Sequence, residues 1–113
     1  MKNEKYPLGE KVTVTVDRPF HSVHPNHSDL IYELNYGYID GILAGDGEEQ
    51  DCYILGVNEP LESFEGVVIA VIHRKNDVED KWVAAPVGVT FTKEEIKKLT
   101  DFQERFFDIE III

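Results

Sequence analysis

A chain of 113 residues is long enough for one domain built on a single hydrophobic core. Hydrophobic residues make up 42% of it, too many for a disordered chain. The net charge of −11 argues against a protein that grips nucleic acid electrostatically, because phosphate backbones are bound by surplus Lys and Arg. It does not exclude a small phosphate-bearing molecule, provided metal ions stand between protein and phosphate. Cys52 is the one cysteine, so no intramolecular disulfide can form and a reducing compartment is expected. Met1-Lys2-Asn3-Glu4-Lys5 has no apolar run after its charges and shows no signal peptide. The longest apolar runs, Val67–Ile72 and Ile111–Ile113, are too short to cross a bilayer. These features predict a cytoplasmic protein with neither membrane nor nucleic acid as partner.

Lys11 to Asp17 alternates Val with polar residues at period two and predicts a half-buried strand, ended by Arg18-Pro19. Phe20 to Asp29 reads as a loop with His21, His24 and His27. Without a cysteine partner or a helix to gather them, these histidines read as a polar loop, with a transition-metal site and a phosphate-facing loop that includes Arg18 as the alternatives. Leu30 to Leu34 and Tyr36 to Leu43 predict strands. Gly37, between two tyrosines, predicts a bulge or a close backbone approach. An acidic turn follows, with Asp46, Glu48, Glu49 and Asp51 inside six residues. Asp51 to Val57 predicts a strand with Asp51, Tyr53 and Leu55 on one face and Cys52 and Ile54 on the other. Cys52 among apolar neighbours reads as a core residue, not a nucleophile. Gly66 to His73 is continuously apolar and β-branched, the mark of a strand buried on both faces. A charged connection from Arg74 leads to the return strand Lys81–Ala85, closed by Pro86.

The one clear helix begins at Thr92, where Thr92 and Glu95 make a capping box. Ile96, Leu99, Phe102 and Phe106 then form one apolar stripe, expected to be core. The Ile111–Ile113 end should dock on the sheet or on a second subunit, which predicts a homo-oligomer. About six short strands, two acidic turns and a C-terminal helix give a mainly β, α+β domain over residues 1–113. Its expected form is a small antiparallel barrel of five to six strands with one helix.

The acidic clusters Asp46/Glu48/Glu49/Asp51 and Asp77/Glu79/Asp80 both sit at strand connections. Gathered at one barrel end, they would suit Mg²⁺, which takes a few carboxylates and keeps water and substrate oxygens as its other ligands. Two such ions can clamp a phosphoanhydride and lower the pKa of a bridging water, whose proton a spare carboxylate accepts. An EF-hand is excluded, because Val57 stands where the terminal bidentate Glu should be. Two solvated turns are the plainer alternative.

Tyr36-Gly37-Tyr38-Ile39 followed by Asp46-Gly47-Glu48-x-x-Asp51, then Asp77 and Lys81-Trp82-Val83-Ala84-Ala85-Pro86, resembles the signature region of the family I soluble inorganic pyrophosphatases. The resemblance runs from about Leu30 to Pro86. It implies an OB-like five-stranded barrel and Mg²⁺-dependent hydrolysis of inorganic pyrophosphate to two orthophosphates by a metal-activated water. It also implies several Mg²⁺ ions, with other divalent cations as possible substitutes, and a homo-oligomer. Asp46 and Asp51 resemble the metal-bridging carboxylates, and Asp77, Asp80 and Glu79 the second metal set. Glu48 stands where the family has the Asp that takes the water's proton, next to Asp51 and Tyr36 as the catalytic group. Lys81, Tyr36, Tyr32 and Arg18 resemble the phosphate-binding groups. The sequence departs from the family at Glu48 and Glu49, in its shorter second acidic connection, and at Phe106-Phe107, where the family has a Tyr-Lys pair. These departures give the alternative function, a catalytically weakened module that binds metal and a phosphorylated ligand.

Overall fold

In the computed structural model the described residues are 7–24, 26–44, 47–75 and 79–113. Asp46, Asp77, the first six residues and the side chain of His27 lie outside them.

The alternating valines of β1 (Lys11–Arg18) do form a strand. Behind it come a short hairpin, β2 (Val23–His24) and β3 (His27–Ile31), then β4 (Asn35–Leu43), β5 (Glu49–Ile54), β6 (Ser63–Arg74) and β7 (Asp80–Ala85). Helix α1 (Lys93–Glu104) and strand β8 (Ile109–Ile112) complete the chain. The ring runs β1-β4-β5-β7-β6 and closes through β1–β6, with β8 outside it on β6. It is mostly β, a five-stranded barrel with one helix, as the strand pattern predicts. Ring pairings are antiparallel except β5–β7, which runs parallel because β6 crosses the barrel between them. The Phe20–Asp29 loop is not structureless: Val23 and His24 pair with Ile31 and His27. The isoleucine end docks on the sheet, with Ile111 against Ile72 and Ile112 against Val71.

β5 buries both faces, and its alternation divides them between two cores. Cys52 and Ile54 point into the barrel with Val12, Val14, Ile39, Val68 and Ala84. Tyr53 and Leu55 point outward, where Tyr32, Tyr36, Ile72, Val83, Ile96 and Phe102 cover them. Burial raises the Cys52 thiol pKa well above its ordinary value, so it is a packing residue and not a thiolate. Gly37 is required by close approach: a Cβ there would lie 1.9 Å from the Thr15 carbonyl oxygen. The facing strand shifts register between Val16 and Arg18, a bulge that turns Arg18 onto Tyr36's neighbourhood.

The helix starts as predicted, with the Thr92 hydroxyl accepting from the Glu95 amide and the Glu95 carboxylate accepting from the Thr92 amide. Its apolar stripe needs correcting. Ile96 and Phe102 are buried, but Leu99 is 38% exposed and Phe106 69%. The helix ends at Glu104, so the 3.6-residue period no longer governs Phe106. The buried face passes instead through Ile96, Thr100, Phe102 and Glu104. Thr100 tolerates this because its hydroxyl donates to the Ile96 carbonyl at 2.8 Å.

Candidate active site

On the outward side of the barrel, the ends of β1, β4, β5 and β7 meet the last turn of α1 around a cleft of about 490 Å³. The strands contribute Asp17, Arg18, Tyr36, Asp51 and Lys81. The last turn of the helix contributes Gln103, the turn after it Phe106 and Phe107, and the hairpin region His24, Leu30 and Tyr32. A deep cleft in a small barrel needs a polar floor that does not collapse, and a chain of hydrogen bonds supplies it.

Arg18 donates to the Tyr32 oxygen at 2.7 Å, and the Tyr32 hydroxyl donates to Gln103 Oε1 at 2.7 Å. Gln103 Nε2 donates to the Tyr53 oxygen at 2.6 Å, and the Tyr53 hydroxyl donates to Glu104 Oε2 at 2.6 Å. Arg74 then closes on Glu104 with two parallel bonds, Nε to Oε1 at 2.9 Å and Nη2 to Oε2 at 2.7 Å. Every donor in this series points toward Glu104, so the series polarises in one direction. The Phe107 ring covers the Arg74 guanidinium at 3.7 Å. Burial works against the Arg74 charge, but the Glu104 hydrogen bonds and charge outweigh it and raise the pKa. Burial, together with Glu104, raises the Tyr53 phenol well above its usual value, so it stays a donor.

A second group sits beside the first. Lys81 Nζ is 2.5 Å from Asp51 Oδ2 and 2.9 Å from Glu79 Oε1. Asp51 also lies beside the Tyr36 phenol, whose pKa burial raises well above the usual value, with Tyr53 and Asp51 adding. Burial is likewise the main reason the Glu79 carboxyl is raised, partly offset by Lys81 and reinforced by its contact with Asp51. Arg74 Nη1 lies 3.9 Å from Glu79 and links the two groups. Asp17 is raised by burial, with Arg18 lowering it in part.

Of the residues singled out in the sequence, Arg18, Tyr32, Tyr36, Asp51 and Lys81 come together in this cleft, and Glu79 joins them through Lys81. Asp80 turns away and meets His73 at 2.7 Å. Glu48 is exposed on the turn before β5 and does not line the cleft. Asp46 and Asp77 lie outside the described residues. The sequence reading missed Asp17, Arg74, Gln103 and Glu104. One signal was available for Glu104, a carboxylate set between Phe102 and Phe106 on the helix.

Among the described residues no three His, Cys, Asp or Glu side chains gather as a metal cluster. Asp51 and Glu79 are carboxylates that both meet the Lys81 ammonium, and carboxylate oxygens are the ligands a hard divalent cation takes. The charge of the cleft also fits a cation. Arg18, Arg74 and Lys81 are matched by Asp17, Asp51, Glu79 and Glu104, so the protein alone offers a polyanion no net positive charge.

Neither a family model nor a curated protein sequence matches the chain. Solved structures do. An inorganic pyrophosphatase from Ehrlichia chaffeensis superposes with a TM-score of 0.68 at 16% identity, over 93% of this chain and 86% of that one. One from Neisseria gonorrhoeae gives 0.58 at 24% identity, over 83% and 72%. One from Thermus thermophilus gives 0.59 at 15% identity, over 96% and 86%. At these identities the likeness establishes a shared fold.

Proposed function

We propose that the protein is a Mg²⁺-dependent hydrolase of inorganic pyrophosphate, acting in the cytoplasm. The observation that carries this reading is the convergence of Lys81, Tyr36 and Glu79 on Asp51, in the cleft of a barrel whose solved counterparts are pyrophosphatases. Asp51 and Glu79 would hold the metal, and Asp46 and Asp77 are the further ligands that the resemblance implies. The metal would neutralise phosphate charge and lower the pKa of a bound water. The protein's own part is positioning. Lys81 and Arg18 place their charges against phosphate oxygens, and the Tyr36 phenol, held neutral by burial, donates a hydrogen bond. The water's proton must go to a carboxylate. We assign it to Asp17, which lines the cleft, ahead of Glu48, which does not.

Phosphate release from pyrophosphate with Mg²⁺ tests the reading. The wild type should turn over, and Asp51→Asn should be slower by about 10²-fold or more, since positioning carries the catalysis. No release above buffer with any divalent metal would end it. A second reading rests on Arg74, which Glu104 and Phe107 already engage, and on the apolar Phe106 beside it. It makes the protein a weakened module that binds metal and a phosphorylated ligand. Calorimetry would then show metal-dependent binding without turnover.

A further inference from the structure

The cleft is larger and more aromatic than pyrophosphate requires. Its volume of about 490 Å³ falls within the roughly 300–1,000 Å³ of sites that enclose drug-sized ligands. Pyrophosphate is a compact ion of nine heavy atoms without an apolar surface. Lys81, Arg18 and Tyr36, on the strand side, suffice to meet it. The opposite wall comes from the end of α1 and the hairpin region. There Phe106, 69% exposed, and Leu30 present apolar surface to the same cleft, and His24 stacks on Tyr32 with the rings 9° from parallel.

Phe106 and Phe107 follow each other in the turn after the helix yet do different work. Phe107 lies on the Arg74 guanidinium and completes the buried network. Phe106 turns outward, with the Arg105 guanidinium 5.9 Å from its ring centroid. A large ring held open to water at the rim of a cleft is the kind of exposed apolar surface that marks a ligand site. A flat apolar wall opposite phosphate-binding groups fits a ligand with a planar aromatic group at one end and a phosphoanhydride at the other. The net charge of −11 disfavours a polyanionic strand and does not bar a single nucleotide accompanied by a divalent cation.

We propose that this cleft accepts a nucleoside diphosphate, its base on Phe106 and its diphosphate toward Lys81 and Arg18. The inference rests on the phosphoanhydride reading above and names the substrate class of the same site. In the reaction, a water oxygen bonds to the terminal phosphorus as that phosphorus parts from the bridging oxygen. A nucleoside monophosphate leaves with the bridging oxygen, orthophosphate forms, and the water's proton passes to a carboxylate. No oxidation or reduction is involved.

Calorimetric titration of wild type, Phe106→Ala and Phe106→Trp with ADP and with pyrophosphate, both with Mg²⁺, tests the proposal. Phosphate release is followed in parallel. The ratio of ADP to pyrophosphate affinity should fall about tenfold in Phe106→Ala, the effect of losing one aromatic stack, and Phe106→Trp should restore it. Absence of ADP binding to the wild type overturns the proposal, as does an affinity ratio that does not move. If pyrophosphate is hydrolysed while ADP is ignored, the hydrolase reading stands and this one fails. If ADP binds through Phe106 and no anhydride is cleaved, the binding site stands and hydrolysis fails.

Discussion

Glu104 shows what a single side chain contributes here. It is 2% exposed and accepts two bonds from Arg74 and one from Tyr53. Replacing it with Gln keeps the shape and removes the charge that Arg74 needs. Breaking one side of a buried pair costs about 3–5 kcal/mol, so Glu104→Gln should lose roughly that much in urea denaturation. A loss of under about 1 kcal/mol would mean that water already reaches Arg74. Little of this was legible in the sequence beyond a carboxylate set close to Phe102. Arg74 and Glu104 are far apart in the chain, and single-sequence patterning does not see pairs at that range. Tyr32, Tyr36, Asp51 and Lys81 were legible because one motif along paired strands carries them, and Arg18 was singled out beside it, across from Tyr36. Phe106 was misread because the helix period was extended past the end of the helix.

Among the elements, β4 is where the barrel and the site depend on the same residue. Gly37 sits against the Thr15 carbonyl, with room for a hydrogen and none for a methyl group. Gly37→Ala must push β1 away from β4. We expect a stability loss of about 3 kcal/mol by chemical denaturation, with lower activity because Tyr36 and Arg18 flank the contact. A fully stable Gly37→Ala would show that the strands separate at little cost. The glycine's role was legible from its place between two tyrosines. The capping box of α1 and the two-faced burial of β5 were legible too, because caps and alternation are local signals. The parallel β5–β7 pairing was not, since it follows from the path of β6 across the barrel. Nor was the β2–β3 hairpin, whose few polar residues carry no period.

At the scale of the whole molecule, an acidic protein has placed two carboxyls where partial desolvation opposes their charge. Asp17 and Glu79 are both raised above their ordinary values of 3.8 and 4.5. The folded protein therefore holds these protons to higher pH than the unfolded chain does. The stability they contribute is full below those ordinary values and is lost as pH rises through the folded values. Asp17→Asn, which cannot ionise, should gain stability relative to wild type as pH rises from about 4, measured by thermal midpoints without added metal. A difference independent of pH would contradict a raised Asp17 pKa. Among the described residues no helix is long and apolar enough to cross a membrane. The likeness to solved pyrophosphatase structures establishes the fold, and the cleft around Asp51 is where the proposed chemistry is to be tested. The most direct test is ³¹P NMR of pyrophosphate with the wild-type protein and Mg²⁺. The account predicts that the pyrophosphate resonance disappears into orthophosphate, two phosphates for each pyrophosphate consumed. A pyrophosphate signal that shifts or broadens on binding while no orthophosphate appears would contradict it.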